Sequence, residues 1–231
     1  MIDVHIILYN IKQNYFDECL NSLKTNKNIA LHFLYGYKNN IGLGRYEGFQ
    51  KGSNEYVAFV DPDDYPEPNI FDEILYFIKN KNLNNFCGIY TYERKINEIG
   101  NHIAYNISIN KEWKKFDIKS SWVPHHVCVM KREYVEKYLD EIKNWRYRSE
   151  YILRNLISLN GDWILYPKVG YNWRIHAENT HKQNHTHEYT RKSYSFIQEI
   201  FNMKDFNLGK ENWLKNPKNA KWYLREKWEE K

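Results

Sequence analysis

The chain has 231 residues, 42% of them hydrophobic, and a formal net charge of +5, enough apolar material to bury a substantial core in one α/β domain with an appendage. Cys19, Cys87 and Cys128 are scattered through apolar runs, a pattern of small buried hydrophobes that argues against a disulfide framework or zinc site. No basic segment precedes an apolar core at the N-terminus, and no apolar run approaches the ~20 residues needed to span a bilayer, so the expectation is a soluble, unprocessed, cytoplasmic protein.

In chain order, Val4 to Leu8 is apolar apart from His5 and reads as a strand buried on both faces, ending near Asn10. Phe16, Cys19, Leu20 and Leu23 then repeat at helical spacing. Ile29 to Tyr35 predicts strand two, Leu43 to Lys51 a short helix and Tyr56 to Val60 strand three. The βαβαβ order predicts a parallel sheet with ligands outside the carboxyl ends of its strands.

Asp61 to Pro68 contains three prolines and predicts a loop at such an end. Phe71, Ile74, Leu75 and Ile78 resume helical spacing, with Asn69 as the expected cap. Cys87 to Tyr92 and His102 to Ile109 predict a hairpin. Val127 to Met130 reads as a strand, Arg132 to Ile142 and Ser149 to Leu159 as helices, and Trp163 to Tyr166 as a further short strand. Residues 181–231 are helical in pattern, aromatic and basic. They are expected to form a tail outside a catalytic domain at 1–180, and a solvated lysine-rich face is its plainest account.

The chemistry begins at Asp61, Asp63 and Asp64. Hard carboxylate oxygens at a strand end suit Mg²⁺ or Mn²⁺ completed by substrate phosphates, and such an ion offsets charge growing on a leaving diphosphate. An Asp/Pro-rich turn with solvated carboxylates is the plain alternative.

The block from Asn40-Ile41-Gly42-Leu43-Gly44-Arg45 through Gly52-Ser53-Asn54-Glu55-Tyr56-Val57 to Asp61-Pro62-Asp63-Asp64 resembles the family 2 glycosyltransferases. That family sets a glycine-containing turn and an arginine before a short helix, then a strand ending in an Asp-rich motif. Val4 to Asn10 and the helix through Leu20-Asn21-Ser22-Leu23 resemble its opening elements. The resemblance, over roughly Ile2 to His176, implies a GT-A fold, Rossmann-like with a mostly parallel sheet flanked by helices, here with a C-terminal helical extension. It implies a nucleotide-sugar donor, UDP-linked by first choice, contacted by Asn10, Arg45, Asp61 and Asp63, and a metal held by Asp63 and Asp64. The usual acidic loop after strand two is replaced by Tyr35-Gly36-Tyr37-Lys38-Asn39-Asn40, which leaves the nucleobase open; Tyr35 or Tyr37 suits base stacking or simple packing.

Ser149-Glu150-Tyr151-Ile152-Leu153 resembles the family's base-bearing segment, with Glu150 in the place of an aspartate, which implies that Glu150 accepts the proton of an acceptor hydroxyl. The plain alternative is an acid favouring a helix N-terminus. Tyr171 to His176 resembles a segment that closes over the diphosphate, implying phosphate contacts from Arg174 and His176 and a metal bond from His176. Trp122, His125 and His126 fall where relatives build the acceptor side. His181, His185 and His187 lack the partners of a zinc site.

The function expected is sugar transfer to an acceptor hydroxyl, inverting because no enzyme nucleophile is evident. A glycan or glycoconjugate is the expected acceptor, and the basic tail leaves room for a modified DNA base. Two rivals stand beside it: a sugar-phosphate nucleotidyltransferase, and a non-catalytic module whose tail, with Trp213, Trp222, Tyr223 and Trp228, holds glycan or nucleic acid.

Overall fold

The structure is a computed structural model and describes residues 1–81, 83, 85–106, 127–177 and 186–200. In chain order the elements are β1 (Ile2–Leu8), α1 (Gln13–Leu23), β2 (Ile29–Tyr35), α2 (Ile41–Phe49), β3 (Tyr56–Val60), β4 (Tyr65–Pro66), α3 (Ile70–Lys81), β5 (Phe86–Ile96) and β6 (His102–Asn106). They continue with β7 (Val129–Lys131), α4 (Arg132–Glu136), α5 (Leu139–Ile142), α6 (Ser149–Ile157), β8 (Asp162–Arg174) and α7 (Thr186–Ile200). The strands form one sheet in the order β2-β1-β3-β7-β5-β8-β4, with β6 paired to β5. β1 runs parallel to β2 and β3, and β5 parallel to β8, whereas β7 lies antiparallel between β3 and β5.

Period-two alternation sorts the strands between two cores. Ile2, Val4, Ile6, Tyr56, Ala58 and Val60 pack with Cys19 and Leu23 of α1 and Ile70, Phe71 and Ile74 of α3. Val57, Cys87, Tyr90 and Met130 pack on the other face with Phe49 of α2, Leu139 and Ile142 of α5, and Leu153 and Ile157 of α6. Helices thus cover both faces, and all three cysteines are buried thiols rather than disulfides.

Four local expectations are corrected. The turn after Asp61 holds the two-residue β4, which pairs at the sheet edge with Tyr171 and Asn172 of β8, where proline is tolerated. Asn69 sits in left-handed backbone, φ 59°, and the start of α3 is met by Asn26 Oδ1, which accepts from the Phe71 N–H at 2.9 Å. The helix expected over Arg132 to Ile142 is broken into α4 and α5 around Lys137 and Tyr138. The strand expected at Trp163 to Tyr166 runs on to Arg174, because register shifts between Tyr90 and Tyr92 let the chain bulge around Pro167 and resume pairing. No helix among the described residues is long and apolar enough to cross a membrane.

Candidate active site

α2 is built to lie close. Asn40 Oδ1 caps it by accepting from the Leu43 N–H at 3.2 Å. A Cβ on Gly42 would stand 2.2 Å from the Ile142 carbonyl oxygen, and one on Gly48 2.3 Å from Leu34 Cδ1. The two glycines therefore let the helix settle between α5 and β2, which carries Arg45 into the interior at 5% exposure. There one Arg45 guanidinium nitrogen donates to Ser149 Oγ and to Glu150 Oε2, each at 2.8 Å, and the other stands 3.6 Å from Asp61 Oδ1. Burial works to raise the Glu150 carboxyl, but the cations Arg45, Arg154 and Arg148 outweigh it and hold the group down at about 2.

The aspartates that follow β3 divide by environment. Asp64 is buried and its Oδ1 accepts from the Arg174 N–H at 2.7 Å. Burial, then the neighbouring carboxylates of Asp63 and Asp61, pushes its carboxyl well above the ordinary value. Asp64, an expected metal ligand, is therefore turned into the protein, where it props the loop. Asp61 and Asp63 keep partly open carboxylates, and Asp63 Oδ2 lies 2.9 Å from His176 Nε2. Tyr171 Oη accepts from the Asp61 N–H at 3.2 Å and also bonds Asp64.

Arg174 is buried at 1% exposure. Its Nε donates to the Asp63 carbonyl oxygen at 2.9 Å and one terminal nitrogen to the Glu98 carbonyl oxygen at 2.8 Å, while the other pairs with Glu18 of α1. Its guanidinium also lies 4.4 Å from the centre of the Tyr15 ring. The fork expected to reach phosphate is directed here at loop backbone and Glu18, and β8, which carries it, pairs with β4 directly after the Asp61–Asp64 turn.

Asn10, two residues past the end of β1, has φ 48° and turns the chain at the same end of the sheet. Tyr35, the last residue of β2, is exposed, and the Tyr37 hydroxyl donates to Glu47 Oε2 at 2.6 Å. Trp122, His125, His126, His181 and His185, and the tail with Trp213, Trp222, Tyr223 and Trp228, lie outside the described residues. Sequence reasoning missed Ser149, Glu18 and Tyr15. Ser149 stood in the quoted helix start, whereas α1 showed only an amphipathic stripe.

Among the described residues no three His, Cys, Asp or Glu side chains form a metal site by themselves. Mg²⁺-type sites are commonly completed by one or two protein groups plus phosphates and water, and two neighbouring ligands on an octahedral ion stand about 3 Å apart. The 2.9 Å between Asp63 Oδ2 and His176 Nε2 fits that spacing.

Residues 31–139 match the description "Glycosyl transferase family 2". The matched stretch contains α2, Arg45 and all three aspartates and ends before Glu150, Arg174 and His176. Over that stretch the chain is similar to the family 2 glycosyltransferases. A search of curated proteins finds no match.

Among solved structures, the fold is similar to that of S. aureus TarS, with a TM-score of 0.60 at 13% identity over 90% of this chain and 40% of that one. TarS 1–349 in complex with UDP gives 0.59 at 12% identity over 90% of this chain and 66% of the other. TarS 1–349 in complex with UDP-GlcNAc gives 0.60 at 13% identity over 98% and 77%. The chain spans less than half of the longest of these relatives. The fold is GT-A: helices on both faces of a largely parallel sheet.

Proposed function

We propose that this domain transfers a sugar from a UDP-linked donor to an acceptor hydroxyl in one inverting displacement, with a divalent cation on the donor diphosphate. The observation that carries the reading is Arg45, buried and bonded to Glu150 on one side while facing Asp61 on the other, so that it joins a candidate base to a candidate donor loop. The UDP and UDP-GlcNAc complexes of TarS favour a UDP-sugar.

Asp63 and His176 would hold Mg²⁺ or Mn²⁺, with Asp64 acting through the backbone of the same loop. The ion would supply Lewis-acid stabilisation of the departing diphosphate. Asn10, Arg45 and Asp61 line the donor side. Arg174 serves the donor by fixing the loop and closing the end of β8, with its guanidinium bonds spent on the protein. Glu150 is ionised at neutral pH and takes the proton from the acceptor hydroxyl as that oxygen attacks the anomeric carbon. Held so low by Arg45 it is a weak base, and donor phosphates competing for Arg45 loosen the pair and raise its basicity. A glycan or glycoconjugate is the proposed acceptor.

Anomeric NMR of the sugar released from UDP-GlcNAc with Mn²⁺ tests the chemistry. Inverted product, abolished by EDTA and restored by Mn²⁺, is expected. Retained configuration would remove the single displacement, and metal-independent turnover would remove the cation.

A further inference from the structure

The first turn of α6, which presents Ser149 and Glu150, has an unusual foundation. Arg148 before it adopts left-handed backbone, φ 66°, with no side-chain cap. Only glycine and, less often, asparagine or aspartate take that region readily, so surrounding structure must hold an arginine there. The Arg148 carbonyl accepts from the Ile152 N–H at 3.0 Å, closing the turn. Its guanidinium carbon lies 4.4 Å from the centre of the Tyr151 ring and 5.4 Å from that of Tyr194 on α7. The two rings meet edge to face at 5.6 Å.

Two further aromatic pairs dock α7 on the same segment: Tyr147 with Tyr189 at 5.2 Å and Trp145 with Phe196 at 5.3 Å. Ile197 of α7 is fully buried against Tyr151, Ile152 and Leu156. α7 therefore grips the residues before Glu150 and the first turn after it. Nothing in α7 is among the expected site residues, and it lies beyond the stretch that matches the family.

We propose that Arg148, stacked on Tyr151 and on Tyr194 of α7, is a positioning residue that holds the Glu150 carboxylate towards Arg45. It rests on the reading of Glu150 as the base. The charged groups facing Glu150 are Arg45 from α2, Arg148 and Arg154 from α6 and its approach, and Asp61 beyond Arg45. Of these cations Arg148 lies over a ring of α7, 5.4 Å from the centre of Tyr194. Small displacements of a catalytic group cost rate steeply, so a loosened clamp lowers kcat while donor binding, made elsewhere, persists.

The test uses the full chain with Tyr194→Ala, Tyr194→Phe, Arg148→Gly and Glu150→Gln. Glycine keeps the left-handed backbone without the guanidinium and so separates side-chain stacking from backbone strain. Two quantities are read: hydrogen exchange at the Ile152 amide, and UDP release from UDP-GlcNAc with Mn²⁺ and water as acceptor. Tyr194→Ala and Arg148→Gly are expected to speed Ile152 exchange and lower kcat about tenfold, with KM for donor within about twofold of wild type. Tyr194→Phe, which retains the ring, is expected to behave as wild type. Unchanged exchange in both disrupting variants, or faster exchange with wild-type kcat, overturns the proposal. Wild-type turnover by Glu150→Gln with the exchange result intact would instead remove the base assignment and leave the clamp.

Discussion

At the scale of single residues, one loop uses neighbouring carboxylates for different ends. Asp63 is partly open and bonded to His176, while Asp64 is buried under the Arg174 N–H and Tyr171. Asp63→Ala is therefore expected to abolish metal-dependent donor binding with little change in melting temperature. Asp64→Ala should instead lose about 1–3 kcal/mol of stability, since it leaves buried donors without an acceptor. Chemical denaturation of the two variants checks the contrast, and equal stabilities would contradict it. Glu150→Gln is expected to lower kcat roughly 10²- to 10⁴-fold, the usual contribution of a positioned base, with donor affinity retained; steady-state UDP release measures it. The Asp cluster was legible because three acids followed an apolar strand directly. The Arg45–Glu150 pair was not, because its partners are 105 positions apart and no local pattern couples them.

At the scale of elements, β1 carries two buried polar side chains that do not belong to the site. Asp3 accepts from Arg132 at 2.7 Å and from the side chain of Asn54 at 2.7 Å, which ties β1 to the chain before β3 and to α4. His5 stacks on His32 with ring centres 5.0 Å apart. Burial drives the His5 imidazole down to about 4, against an opposing hydrogen bond with the Lys51 carbonyl. The unfolded chain takes up this proton near pH 6.5 and the folded protein only near 4, so stability falls as pH drops through that window. The loss is roughly 3 kcal/mol by pH 4. His5→Phe should flatten the pH dependence of the melting temperature between 6.5 and 4, and an unaltered slope would acquit His5.

Glycine at position 42 is a second elemental requirement, since the carbonyls of Ile142 and Trp145 leave no room for a methyl. Gly42→Ala should cost about 1–3 kcal/mol by overpacking, read as a lower denaturation midpoint. The strands β1, β2 and β3 were legible because apolar runs buried on both faces leave a continuous signal. β8 was read short because Pro167 and Gly170 look like breakers, whereas a bulge accommodates the first and Gly170 packs its open side against Thr91.

At the scale of the whole molecule, the alternation of strands and helices was enough to predict a layered α/β fold. The strand expected at Val127 to Met130 is β7, but alternation did not predict that its three residues run antiparallel in the middle of the sheet and join the β1–β3 half to the β5–β8 half. Nor did it predict that β8 would pair with β4 directly after the Asp61–Asp64 turn and bring Arg174 and His176 to it. Both features are long-range pairings that local periodicity does not encode. Their consequence is a site assembled from both halves of the sheet: Arg45 and the aspartates from the first, Glu150, Arg174 and His176 from the second.

The most direct test of the central claim, a metal-assisted nucleotide-sugar site at the Asp61–Asp64 turn, is calorimetric titration of UDP-GlcNAc into the wild type and Asp63→Ala, each with Mn²⁺ and with EDTA. Binding by the wild type that requires Mn²⁺ and disappears in Asp63→Ala is the predicted result. Equal binding by both proteins, or a folded wild type that binds no UDP-, GDP-, CMP- or dTDP-linked sugar, would contradict it.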